Sequence, residues 1–267
     1  MDGFALWRRY AGASIRAQMQ YPGSTLMLAV GQFAITAIEM TAVLALFDRF
    51  GRLPGWTLAE VAVFYGVANL TYSLSETLCR GFDVFGPTFV QSGDFDRVLL
   101  RPRSAALQII GHEFRLSRMG RFAQGLIVLV AAQLLFGFHW RAEALGLCLF
   151  AVVGGIAFFT GLYVLQAVLS FWTVDGLEVA NMLTHGGVTA GQYPLNIYAE
   201  WFRGFLTFVV PLACVAYFPV VGALGRHDPL GAPDWLLPIA PLAGFAFLAV
   251  SFYAWRFGVA RYTSTGS

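Results

Sequence analysis

The chain is a series of long apolar runs separated by short polar segments. Six runs reach or approach the ~20 apolar residues that a helix needs to cross the ~30 Å hydrocarbon core of a bilayer. They extend over Thr25–Phe47, Leu58–Leu78, Phe122–Phe138, Leu145–Leu169, Phe205–Val221 and Trp235–Phe257. They do not alternate between apolar and polar positions, as membrane β-strands do. The pattern therefore predicts an all-α polytopic membrane protein with six transmembrane helices.

Composition supports a single membrane domain covering residues 1–267. Hydrophobic residues make up 58% of the chain and charged residues 12%, about half the charge of an ordinary soluble domain. The sequence contains no glycine-rich nucleotide-binding loop, so the energy for any transport comes from an ion gradient or from another chain. Membrane lipid is an expected partner and nucleic acid is not.

The basic residues orient the predicted spans. All 17 are arginines. With a cytoplasmic N-terminus, thirteen lie on the cytoplasmic side and four outside, as the positive-inside rule favours. This assignment gives a cytoplasmic C-terminus, cytoplasmic regions at 80–121 and 170–204, and an outer loop at 222–234. Prolines and glycines in that loop fit either short re-entrant helices or an ordinary loop.

The first 22 residues precede the first span and do not resemble a cleavable signal peptide. Aromatic residues together with Arg8, Arg9 and Arg16 predict an amphipathic helix lying in the membrane interface, ended by Tyr21-Pro22-Gly23. The alternative is a disordered tail.

The first cytoplasmic loop, residues 80–121, predicts two helices. Phe85-Gly86-Pro87 breaks the chain, a short helix follows, and Pro102 ends it, because proline disfavours helical geometry in the residue before it. A second helix is expected over Ser104–Arg121. A short helix with apolar anchors and charges suits docking into a partner's groove, and the alternative is a helix held only by lipid headgroups.

Gly93–Pro102 resembles the "G-x-x-D-x-x-L-L-R-P" loop of ABC-2 type transporter permeases. Further similarity to this family follows in chain order at 170–175, 192–198, 205–211 and 217–219. The resemblance implies an export-type permease whose first cytoplasmic loop is a coupling helix seated on an ATP-binding subunit. The implied coupling residues are Gly93, Asp94, Phe95, Asp96, Arg97, Leu100, Arg101 and Pro102.

The same resemblance implies the assembly. Two copies of a separate ATPase would bind ATP and Mg, and a second six-span permease, homologous or identical, would complete the membrane unit. This chain would then be a non-catalytic transport subunit of a bacterial cytoplasmic (inner) membrane. The abundance of phenylalanine, 25 residues, favours a hydrophobic or amphiphilic substrate.

Few polar residues interrupt the first predicted span. Gln32, Thr36 and Glu39 share one helix face. An ionised carboxylate at mid-bilayer costs about 2.5–3.5 kcal/mol on insertion scales, so Glu39 should face protein or water. It is either a translocation-pathway residue or a partner in an interhelical hydrogen bond.

The second predicted span carries another polar face, formed by Asn69, either Tyr72 or Ser73, and Glu76. Glu76 precedes Arg80 by four residues, the stabilising order for an acid–base pair on a helix. The pair is interpreted as structural, with a pathway role as the alternative.

Two other function classes are weaker on the sequence. A lipid-modifying enzyme needs a cluster of acids, histidines or serines, and none is present. An ion-coupled secondary transporter needs acids at the midplane, for which Glu39 is the candidate. Glu178 and His185 are two helical turns, about 10 Å, apart, so no metal site is predicted.

Overall fold

The computed structural model describes residues 3–50, 53, 55–135, 139–173 and 176–263. The side chains of residues 3, 4, 50 and 176–182 are not described. Over this part of the chain the fold is all-helical, as predicted, without a β-strand. Phe138, the predicted end of the third span, lies outside the described residues, and so do residues 264–267.

Seven helices of 16 residues or more form the bulk of the described fold. They are α1 (Gly3–Gln18), α2 (Pro22–Phe50), α3 (Leu58–Asp83), α6 (Met119–Leu134), α7 (Ala142–Leu169), α8 (Gly176–Gly191) and α12 (Leu242–Ala260). Short helices connect them: α4 (Asp94–Leu99), α5 (Ala105–Ile110), α9 (Glu200–Gly204), α10 (Phe218–Ala223) and α11 (Leu236–Ile239). Single π-helical turns occur at Gly86–Val90, Phe205–Val209 and Ala213–Tyr217.

Helices α3 and α7 form the centre of the bundle. Helix α3 packs against α6 and α7, α7 against α12, and α2 reaches the centre mainly through α6. A capping box between Thr57 and Glu60 starts α3, because the Thr57 hydroxyl and the Glu60 carboxylate satisfy backbone N–H groups that the first turn leaves unpaired. Most of α3 is buried, whereas α2 exposes a broad apolar face.

Three described helices are long and apolar enough to cross a membrane: Pro22–Arg49, Ala142–Leu169 and the combined Leu236–Ala260. The pair Glu200–Val209 and Leu212–Ala223, bent by 74°, is the fourth candidate if it counts as one span. Helix α3 has the length to cross but carries many polar residues, and α6 and α8 have 16 residues each. By length and composition, three or four of the six predicted spans are therefore supported.

The bent pair starts and finishes at one end of the bundle, which we call the Trp56 end. The Trp56 indole N–H donates to Asn196 Oδ1 (2.8 Å), on the N-terminal side of the pair. Arg226, on its C-terminal side, donates to the Gly55 carbonyl (2.8 Å), and its guanidinium lies 4.7 Å from the Trp56 ring centroid. The pair is therefore re-entrant.

In this geometry residues 205–221 do not cross the bundle as the predicted fifth span would, and region 170–204 has residues at both ends of the bundle. Phe171 packs on Trp255 near the C-terminus of α12, at the opposite end of the bundle from Trp56. Asn196 lies at the Trp56 end, so α8 carries the chain from one end to the other. Hydropathy predicted a span at 205–221 rather than at α8 because residues 205–221 are more apolar than α8. The chain nevertheless turns back within 205–221.

The predicted helix over Ser104–Arg121 is also wrong in its extent. Helix α5 ends at Ile110, residues 111–115 are not helical, and a 3₁₀ turn at Leu116–Arg118 leads into α6. Helix α6 begins three residues before the predicted third span and ends at Leu134. Arg118 and Arg121 consequently lie at the start of a bundle helix rather than at the end of a separate helix of the first cytoplasmic loop.

Helices α7 and α12 approach closely because both carry glycine at the crossing. A Cβ on Gly244 would lie 2.0 Å from the Gly154 carbonyl oxygen. Small residues allow such close packing between membrane helices, and a backbone carbonyl cannot rotate away from a methyl group. The crossing therefore depends on glycine at position 244.

We expect Gly244→Ala to lower the midpoint of thermal unfolding in detergent, because overpacking of about 1–3 kcal/mol exceeds the helix-propensity gain of up to about 1 kcal/mol. Gly146→Ala in α7 is the matched control, since a Cβ there meets nothing within 4 Å. Equal midpoints for the two variants would contradict the close crossing.

Candidate coupling site and buried charge network

The predicted coupling segment forms a short helix with its own local start. Gly93 adopts φ 73°, a left-handed conformation that glycine takes at little cost, and α4 begins at the next residue. The Ser92 hydroxyl accepts the Asp94 N–H (3.2 Å), and Asp94 pairs with Arg97 at 3.0 Å. The Arg97 side chain is 81% exposed, so this pair contributes little to stability.

Phe95 anchors α4 to the bundle. Its side chain is fully buried, and four aromatic rings have centroids 4.9 to 6.1 Å from its own: Phe85, Phe171, Trp255 and Tyr262. Phe85 follows the end of α3, Phe171 follows α7, Trp255 lies in α12, and Tyr262 follows α12. We call these five residues the aromatic cluster. Edge-to-face contacts of this kind contribute beyond the area they bury, so α4 is joined to the ends of three bundle helices.

The opposite side of the coupling segment is exposed. Leu100 is 85% exposed, and Arg101 and Pro102 are also exposed. Gln108 in α5 holds the backbone of this segment on its buried side. The Gln108 amide donates to the carbonyl oxygens of Val98 (3.1 Å) and Arg103 (3.4 Å). The segment thus presents an apolar side chain and arginines on a supported backbone.

Asp96 faces the end of the chain. Burial, together with the neighbouring Asp96 carboxylate, raises the pKa of the Tyr262 hydroxyl. Asp96 therefore points toward the aromatic cluster rather than outward beside Arg97.

A second group of charged residues lies inside the bundle around Glu76, whose side chain is 2% exposed. Glu76 Oε1 receives Arg118 Nη2 at 2.9 Å and Arg80 Nη1 at 3.3 Å. Arg80 also contacts Asp83 at 2.8 Å, and Arg118 donates to Gln32 Oε1 at 2.9 Å. The predicted Glu76–Arg80 pair is present and extends into a network that joins α2, α3 and α6.

The network continues toward the Trp56 end through Arg121. Its guanidinium lies 4.0 Å from Glu39 and 5.2 Å from the centroid of the Tyr72 ring. The Tyr72 hydroxyl is 3.2 Å from His185 Nε2 in α8, and the Gln192 amide donates to Glu39 Oε2 at 3.4 Å. Side chains from α2, α3, α6 and the region of α8 therefore meet here.

The structure brings together four of the polar residues singled out in the first two predicted spans, but not Thr36, whose hydroxyl donates to the carbonyls of Gln32 and Phe33 in its own helix. Gln32, Glu39, Tyr72 and Glu76 belong to the network. Asn69 does not, because its amide donates to the Tyr65 carbonyl within the same helix (2.8 Å).

Sequence reasoning missed the arginines that connect the network. Arg118 and Arg121 were counted as loop charges, yet their side chains are only 15% and 12% exposed. The available signal was their spacing of three residues, directly before a long apolar run, which places both on one face of a starting helix. Likewise, no signal indicated the aromatic cluster, whose members are far apart in sequence.

The fold and the paired internal charges define the class: a multi-pass helical membrane protein. The family model described as ABC-2 family transporter protein matches residues 33–266. The chain therefore belongs to the ABC-2 transporter family, whose members are membrane subunits of transporters. No curated protein and no solved structure gave a significant match.

We expect Glu76→Gln to reduce the free energy of unfolding by about 3–5 kcal/mol, because losing one partner of a buried pair leaves the Arg118 guanidinium without its carboxylate. The readout is the midpoint of thermal unfolding of the detergent-purified protein. Asp94→Asn is the control, since it removes an exposed pair worth about 0–1 kcal/mol. Equal midpoints would mean that the network does not stabilise the bundle.

Proposed function

We propose that this chain is the membrane-spanning subunit of an ATP-driven ABC exporter, coupled through residues 93–102 to a separate ATP-binding subunit. Its membership of the ABC-2 family supports a transporter subunit. The observation that carries the coupling is the two-sided geometry of α4. Phe95 is buried among the ends of three bundle helices, whereas Arg97, Leu100 and Arg101 face outward.

The two sides of α4 have different roles in this proposal. The exposed leucine and arginines dock on the ATPase, where ATP and Mg bind. When the ATPases close, α4 is displaced, and Phe95 passes the displacement to the ends of α3, α7 and α12. Energetically, ATP binding biases one of two arrangements of the bundle. Asp96 is assigned to the contact with Tyr262 rather than to docking.

We place the end of the bundle that carries α4 in the cytoplasm of a bacterium, with both termini on that side of the inner membrane. Residues 80–121 contribute seven arginines there, as the positive-inside rule favours. The six crossings are α2, α3, α6, α7, α8 and the combined α11–α12. This assignment replaces 205–221 with α8 as the fifth crossing.

A second permease, homologous or identical, faces α2 and α8 in this proposal, and two ATPases serve the pair. Glu39 is 39% exposed in the single chain, and His185 and Thr189 are also exposed. Polar groups at membrane depth need protein or water rather than lipid. These residues therefore line a pathway between the two permeases, and its aromatic content fits a hydrophobic or amphiphilic substrate.

Purification in a mild detergent from native membranes, followed by mass spectrometry, tests the assembly. We expect a Walker-type ATPase to accompany the chain, with or without a second six-span chain. Recovery of the chain alone at several detergent strengths would contradict the proposal. It would favour an ion-coupled secondary transporter, in which Glu39 carries the ion.

Arg97→Glu tests the docking surface in that complex. We expect the substitution to release the ATPase, because it reverses an 81% exposed charge without touching the aromatic cluster. Arg141→Glu is the matched control, since it makes the same charge change before α7, away from α4. The readout is the ratio of ATPase to permease after purification. An unchanged ratio for Arg97→Glu would rule out docking at this residue.

A further inference from the structure

Helix α1 is hydrogen-bonded to the non-helical segment between α5 and the 3₁₀ turn before α6, residues 111–115, and to Leu116 directly after it. The Ser14 hydroxyl donates to the Phe114 carbonyl (3.2 Å) and accepts the Phe114 N–H (3.1 Å). Gln18 Oε1 accepts the Leu116 N–H (3.0 Å), and its amide donates to the Phe114 carbonyl. Two side chains of α1 thus satisfy three backbone groups that no helix satisfies.

The contact extends along one face of α1. Tyr10, Ser14 and Gln18 follow each other at four-residue intervals, which places them on one side of a helix. A Cβ on Gly111 would lie 2.9 Å from Tyr10 Cβ, so the backbone of the segment lies directly against this face. Backbone groups that are partly withdrawn from water need partners, and here α1 supplies them.

The same segment connects the coupling helix with the charge network. On one side, Gln108 of α5 holds the backbone of α4 and its following turn. The ring of His112 packs 4.8 Å from that of Phe89, next to the aromatic cluster. On the other side, Arg118 lies three residues after the segment, at the end of the 3₁₀ turn, and binds Glu76 and Gln32.

We propose that Ser14 and Gln18 are positioning residues of the coupling apparatus. By fixing residues 111–116, they prevent this segment from absorbing the displacement of α4, which is then passed on to Arg118 and to the starts of α2 and α6. Helix α1 is therefore held by hydrogen bonds to residues 114 and 116 and not only by lipid headgroups, and it supports this segment mechanically. This role rests on the proposed function.

Hydrogen–deuterium exchange of the permease–ATPase complex, with and without a non-hydrolysable ATP analogue, tests the proposal. In the wild-type complex we expect the analogue to change exchange at the start of α6. The double variant Ser14→Ala/Gln18→Ala should exchange faster over residues 111–118, by about fivefold for each hydrogen bond lost. It should retain the ATPase but lose the nucleotide-dependent change in α6.

Two further variants separate positioning from general destabilisation. Gln20→Ala, at an exposed position just beyond α1, should behave as wild type. Two single variants retain Gln18. Ser14→Thr keeps a hydroxyl and should leave the nucleotide response intact, whereas Ser14→Ala should weaken that response. Unchanged exchange over 111–118 in the double variant, or faster exchange with an intact nucleotide response, would overturn the proposal. Failure of the proposed function is distinguishable, because the wild-type complex would then lack an ATPase.

Discussion

The buried carboxylate of Glu76 is the constraint on which the arrangement of the bundle depends. A charge removed from water is tolerated only when it is paired and hydrogen-bonded. Arg80 on the same helix and Arg118 on α6 supply the pairing, and Arg118 in turn binds Gln32 on α2. Apolar contacts alone would allow α2, α3 and α6 to pack in several ways. The charge pairs hold the three helices in one register.

Helix α3 connects this network to the coupling helix. It carries Glu76 and Arg80, and the chain that leaves its end supplies Phe85 to the aromatic cluster around Phe95. Between Glu76 and Arg80, Cys79 has φ −123° and interrupts regular helical geometry. In the proposed mechanism, movement at α4 reaches the charge network through Phe85 and the end of α3, a helix that contains this kink.

The re-entrant pair shows why hydropathy alone misplaced a span. Residues 210–221 are mostly buried inside the bundle, where Leu212 lies near Gly187 and Gly191 of α8. Both flanks of the pair nevertheless contact the loop around Trp56. Apolar side chains are favoured both where a helix packs against protein and where it faces lipid. Composition therefore does not distinguish a helix that crosses the membrane from one that turns back.

The sequence by itself determined the all-helical fold, the membrane setting, the family, the position of the short helix within Gly93–Pro102 and the Glu76–Arg80 pair. These features depend on local composition, on helical spacing or on a continuous motif. Only the tertiary structure decided that α8 runs between the two ends, that Arg118 and Arg121 enter the bundle, and that Phe95 meets Trp255. Such contacts join residues distant in the chain, and their partners are fixed by packing and charge compensation in three dimensions.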